Sequence, residues 1–252
     1  MLKKIVAAAA LAVCLVASGT AMAEQPTYIN GIDPNYPPFA YIGEDGKPAG
    51  FDVDSMNWIA NKMGFKVTHM PIEWSSIIPS LNAKKIDMIC SGMSITDERS
   101  EQVAFSEPYF VMERVFVVRD DSKLTEKDIY NGEIRLGMQT GTSESAWLVD
   151  NAEKNGWNFT GSFYDTCPMA IKDLVNGRIQ AAAMDEAPAK DAITSGNPVR
   201  ILTRFDYPTK FGVALRKGDD ALLKTVNEGY KLLKADPYWH ELMKKYPDVG
   251  GE

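Results

Sequence analysis

Gly64 and Gly156, 92 residues apart, each close a stretch with helical spacing, and Ile86 and Ile179, 93 apart, each open an apolar run. The segments around them match in order. The first half reads as a strand over 27–32 (TYINGI), a helix from Phe51 to Met63, and a strand from Phe65 to Met70. A helical stretch from Ile77 to Leu81, ending at Lys84-Lys85, and a strand from Ile86 to Cys90 complete it. The second half reads as a strand from Ile134 to Met138, a loop and helix in TGTSESAWLVDNAEKNG, and a strand from Trp157 to Phe163. A helix from Met169 to Val175, stopped by Asn176-Gly177-Arg178, and a strand from Ile179 to Met184 follow. A unit written twice constrains the fold strongly. Alternating strands and helices give each copy a mainly parallel sheet flanked by helices, so the expected class is α/β with two lobes.

Two segments join the copies. Tyr109 to Arg119 (YFVMERVFVVR) is a long β-prone run suited to a crossing strand, and Thr209 to Leu215 (TKFGVAL) reads as the return. Ala221 to Tyr246 has helical spacing broken near Asp236-Pro237 and is expected to pack back on the first lobe. Residues 24–112 and 210–252 then form lobe 1 and residues 113–209 form lobe 2, joined by two crossings that allow a hinge.

Parallel sheets bind ligands beyond the carboxyl ends of their strands. Those ends are Asp33-Pro34-Asn35-Tyr36, Ser91-Gly92-Met93-Ser94, Gln139-Thr140-Gly141-Thr142 and Asp185. An interlobe cleft would carry hydroxyls and backbone donors together with Arg99 and Asp185, a set suited to a small molecule bearing both charges. Arg99 is odd where it stands. Thr96 reads as an N-cap, and Asp97 and Glu98 suit the positive end of a helix, whereas a cation there is disfavoured. Either Asp97, Glu98 and Glu101 neutralise Arg99 on a solvated face, or it meets an anion from elsewhere. Other residues also have two readings. Asp185 can cap the helix containing Pro188, Gly141 can serve a turn, and Thr142 can be an N-cap. Trp74 and Phe39 can be ordinary core, and Asp33 can begin a turn before Pro34. Tyr36, in DPNYPPF, is displayed on a loop stiffened by prolines.

The N-terminus has Lys3 and Lys4, an apolar run to about Ser18, and Ala21-Met22-Ala23 before Glu24. Residues 1–23 are therefore expected to be a cleaved secretory signal peptide. The rival is a lipid anchor on Cys14, which Val13 makes a poorer site. Removing residues 1–23 leaves 25 basic against 34 acidic residues, a net charge of −9, which speaks against nucleic acid as a partner. Cys90 and Cys167 fall in different lobes and are expected to be free thiols. His69 and His240 are far apart and no Cys or His cluster has ligand spacing, so no metal or other cofactor is expected.

The stretches GIDPNYPPFAYIGEDGKPAGFDVD, WSSIIPSLNAKKIDMICSGMSITDERSEQVAFSEPY, QTGTS and MDEAP carry a resemblance. The chain resembles the family 3 extracellular solute-binding proteins, the polar amino-acid-binding proteins of ATP-driven uptake systems. The match is stronger in the first lobe, and Ser55 departs from the hydrophobic residue usual after GFDVD. The resemblance implies a two-lobed periplasmic-binding-protein-like fold of type II. It implies that Arg99, with Ser94 and backbone donors near Met93 and at Gly141-Thr142, clamps an α-carboxylate. It implies that Asp185, with a carbonyl at Ser91 or Gly92, takes an α-ammonium. Tyr36 would cover the ligand, Trp74 would wall it, Asp33 would meet its side chain, and Gln139 and Met184 would tune selectivity; Phe39, if it lines the site, adds to a flat apolar slot with Tyr36 and Trp74.

The expected function is capture of an L-amino acid by closure of the lobes, followed by transient docking on a membrane ABC permease, by a protein that is a monomer and not an enzyme. Two alternatives stand beside it: a cyclohexadienyl or arogenate dehydratase-like enzyme, and a sensing module that docks on a receptor.

Overall fold

A computed structural model describes residues 25–249; the expected signal peptide and Cys14 lie outside them. The first lobe holds a five-stranded sheet ordered Lys66–Pro71, Thr27–Ile32, Met88–Ile89, Ala214–Leu215, Ala104–Phe105. The second holds a sheet ordered Thr160–Tyr164, Arg135–Gln139, Ala181–Asp185, Phe110–Arg119, Val199–Phe211. In both, the second, first and third strands of the half lie side by side and parallel. The fourth position is filled by an antiparallel strand from a crossing segment. The repeat in the sequence is thus a repeat of topology.

The paired glycines end equivalent helices. Phe51–Met63 stops at Gly64 with φ 78°, and Ser143–Asn155 stops at Gly156 with φ 67°, each glycine N–H returning to Ala60 or Ala152. That left-handed cap suits glycine because it has no Cβ to clash. The helices Asp220–Ala235 and Pro237–Lys245 pack on Phe51–Met63, closing a first-lobe core around Phe51, Ile59, Phe211 and Tyr230. Asp236 both ends the first of these helices and caps the second, accepting Tyr238 N–H at 2.9 Å. In the second lobe the sheet buries both faces, one under Ile171 and Leu174 and the other under Ile129 and Leu148.

The strand expected from Trp157 begins only at Thr160, and two other strands also differ from expectation. The run Ile86 to Cys90 keeps only Met88–Ile89 as strand, because the Asn30 side chain takes the backbone of Cys90: it accepts Cys90 N–H at 2.7 Å and donates to Cys90 O at 3.2 Å. The return segment begins at Val199 rather than Thr209 and follows Phe110–Arg119 with two register shifts before Gly212-Val213 separates it from Ala214–Leu215. Cys90 and Cys167 are free and buried.

Candidate functional site

Both sheets turn their strand ends toward one space between the lobes, with about 290 Å³ of atom-free volume counting its opening to solvent. The first lobe lines it with Asp33, Tyr36, Trp74, Ser91, Gly92, Ser94 and Arg99. Gln139, Thr142, Ser143, Glu144 and Asp185 line it from the second. The lobes touch around this space. Tyr36 donates its hydroxyl to Asp185 at 2.5 Å, Gln139 donates to Asp33 at 3.0 Å, and the Trp74 indole donates to the Gly141 carbonyl at 3.1 Å.

Arg99 belongs to the short helix Asp97–Ser100, which Thr96 caps by accepting the Arg99 backbone N–H at 3.2 Å. Its guanidinium is buried and donates to Ser94 O at 3.0 Å and to Gly141 O at 3.1 Å, with the Trp74 ring 5.3 Å away. A cation that burial discourages is thus held by carbonyl dipoles and an aromatic face, and its unusual place on the helix follows from contacts outside that helix. Asp185 occupies the N-cap position of Glu186–Thr194 but makes no side-chain cap bond. Its oxygens go instead to Tyr36 and to Arg114 Nε, at 3.3 Å. Thr142 does cap Ser143–Asn155, accepting Ser145 N–H at 3.3 Å, while its hydroxyl donates to Gln139 O at 3.0 Å. Gly92 has φ 59°, and a Cβ there would fall 2.4 Å from the Tyr36 ring, so the ring lies flat against backbone that only glycine allows.

Burial raises Asp33, and the Gln139 hydrogen bond partly offsets it. Glu144 is pushed up to about 6 by burial and then by the neighbouring Asp185 charge, with Arg114 opposing. Asp185 is raised by burial against the pull of Arg114 and Tyr36. Arg99 is lowered by burial but remains a cation, as guanidinium groups do. Three carboxyl groups therefore face one lining guanidinium, with a second behind them.

Four residues expected at the site do not line the space. Phe39 has no exposed surface and supports Tyr36 from beneath, its ring stacked at 5.7 Å and packed edge-on against Phe51, Phe110 and Phe211. Met93 lies in the first-lobe core with Ile77 and Leu81, and Met184 in the second-lobe core with Ile171 and Leu174. Alternation along a strand explains Met184: its neighbour Asp185 takes the opposite face. Gly141 turns its carbonyl to Arg99 and Trp74.

The sequence reading missed Arg114, Ser143 and Glu144. Arg114 is fully buried behind the carboxyl groups, 3.8 Å from Glu144 and donating to Ser143 Oγ at 2.6 Å and to Ser94 Oγ at 3.2 Å. Its guanidinium also stacks on Tyr207 at 4.3 Å. The available signal was an arginine inside the apolar run ERVFVV, since a charge there is buried only if paired.

The model of the bacterial extracellular solute-binding proteins, family 3, matches residues 28–249. The L-cystine-binding protein TcyJ of Escherichia coli (strain K12) is 31% identical over 226 residues, 88% of this chain and 83% of that protein. A solved ancestral arginine-binding protein bound to arginine superposes with a TM-score of 0.79 at 31% identity, covering 88% of this chain and 98% of that one. The ancestral amino acid-binding protein AncCDT-1, described as a precursor of cyclohexadienyl dehydratase, superposes at 0.80 with 30% identity, covering 87% and 95%. With the match spanning nearly every described residue and both lobes, the chain belongs to the family 3 bacterial extracellular solute-binding proteins.

Proposed function

We propose that this protein captures an L-α-amino acid between its lobes outside the cytoplasmic membrane and hands it to an ABC permease. The observation that carries the reading is the placement of Arg99 from one lobe and Asp185 from the other on the lining of one interlobe space. A zwitterion leaving water needs both charges answered. Arg99 offers a planar fork for the carboxylate, and Asp185 an acceptor for the ammonium. Residues 24–112 with 210–252, and 113–209, act as the two bodies that close, and closure is driven by contacts the ligand makes only with both.

Asp33, Glu144 and Asp185 outnumber the cations at the site, which favours a side chain that donates hydrogen bonds over an acidic one. The names of relatives that bind cystine and arginine agree with a polar ligand. We read the protein as a binder rather than a dehydratase, because the curated relatives it matches are named as amino-acid-binding proteins. Protein unfolded and refolded to strip carried-over ligand should be screened by thermal shift against the twenty L-amino acids and L-cystine. One or a few should raise the melting temperature with the logarithm of concentration. No shift with any of them, or turnover of prephenate or arogenate, would overturn the reading.

A further inference from the structure

The Gly92 N–H points into the first lobe, where it donates to Asp52 Oδ2 at 2.6 Å. The same oxygen accepts the Tyr109 hydroxyl at 2.7 Å. Asp52 sits in the first turn of Phe51–Met63 with no exposed surface, its hydrogen-bond donors are neutral, and its other oxygen has no partner. An acid so placed is costly to bury, and burial raises it to about 7.

What it holds lies at the binding site. The Ser91–Gly92 peptide is trans, the cis bond among the described residues being Pro37-Pro38. In a trans peptide the carbonyl points opposite to the N–H. With the N–H directed at Asp52 in the core, the Ser91 carbonyl of the same peptide is directed away from that core, and Ser91 and Gly92 both line the space. No backbone N–H outside the regular elements donates to that carbonyl among the described residues, and the Ser91 hydroxyl is already used by Asp33 N–H at 2.9 Å. Glycine would otherwise leave this peptide free to rotate.

We propose that Asp52 is a positioning residue of the binding site: by holding the Gly92 N–H it locks the Ser91 carbonyl toward the cleft as an acceptor for the ammonium of an L-α-amino acid. This rests on the amino-acid reading given above. Asn at position 52 keeps an acceptor for both Gly92 and Tyr109, whereas Ala keeps none.

The test is calorimetry with L-arginine, L-histidine, L-lysine and L-cystine on the wild type, Asp52→Asn and Asp52→Ala. For whichever binds, Asp52→Ala should weaken affinity about ten- to a hundredfold and Asp52→Asn by less than about threefold. The loss should be confined to ligands with an ammonium, so the des-amino counterpart (5-guanidinopentanoate for L-arginine) should bind Asp52→Ala and wild type alike. Equal binding of the amino acid by all three proteins, or equal weakening by both variants, overturns the proposal. Should Asp52→Ala fail to fold, or none of the four bind, amide exchange in the ligand-free wild type decides the local claim. Protection of the Gly92 amide in wild type and Asp52→Asn supports it, and exchange at the rate of an open loop overturns it. Binding of none of the four with a protected Gly92 amide counts against the amino-acid reading alone.

Discussion

The Arg99 guanidinium lies 3.1 Å from the Gly141 carbonyl across the interlobe space, and the same carbonyl takes the Trp74 indole N–H. One backbone oxygen of the second lobe thus fixes two side chains of the first. Arg99→Ala should weaken amino-acid binding by about 2–5 kcal/mol, and Arg99→Lys should not restore it, because an ammonium lacks the planar fork. Calorimetry on refolded protein measures both; near-normal affinity in either would remove the carboxylate clamp.

Arg114 is the buried counter-cation of Asp185 and Glu144. Arg114→Met leaves two carboxyl groups without it and should lower stability by about 3–5 kcal/mol at pH 8. The deficit should shrink toward pH 5 as the carboxyl groups take up protons. A urea-unfolding deficit that stays constant from pH 8 to 5 would contradict this assignment.

Tyr36→Phe keeps the ring against Phe39 and Gly92 but removes the hydroxyl that bridges to Asp185. The ligand-free protein should then populate more open forms, seen as a larger radius of gyration in small-angle scattering. The ligand-saturated protein should change much less. Identical ligand-free scattering from the two proteins would show that this bond does not hold the lobes together.

His69 is lowered to about 4 by burial, with Nδ1 facing Asn30 and Nε2 facing Asn57. Its folded value lies below its unfolded value of 6.5, so its contribution to stability is present above pH 6.5 and is lost as pH falls through about 4. His69→Gln should flatten the decline over that window, by about 1–3 kcal/mol at pH 4. Parallel wild-type and variant stability curves from pH 7 to 4 would rule this out.

Burial raises both thiols well above their ordinary value. Ellman's reagent should therefore react slowly with native protein and release two equivalents from protein of residues 24–252 after denaturation. Rapid native labelling at either cysteine would place it at an accessible surface.

The two-lobed fold was legible because the period of strands, helices and glycine stops survives in both copies. Arg99 stood out because a cation at a helix start conflicts with the helix dipole. Arg114 did not, because the crossing strand reads as one apolar run and hides which face its arginine takes; Glu113 beside it is exposed while Arg114 is buried. Glu144 passed for an ordinary first-turn acid. Phe39 had two readings in the sequence, site wall or ordinary core, and its ring takes the second, forming the floor on which Tyr36 rests. Spacing places a residue near a site, but side-chain direction is settled by packing from distant segments.

The strand Ala214–Leu215 lies inside the first sheet, between Met88–Ile89 and Ala104–Phe105. All strands of the second sheet fall between residues 110 and 211. A chain leaving the ribosome amino-terminus first can therefore complete the later half while the earlier one still lacks an internal strand. The first sheet is complete only once residues 214–215 are made, and proteolysis of arrested nascent chains should find residues 25–105 vulnerable until that strand emerges.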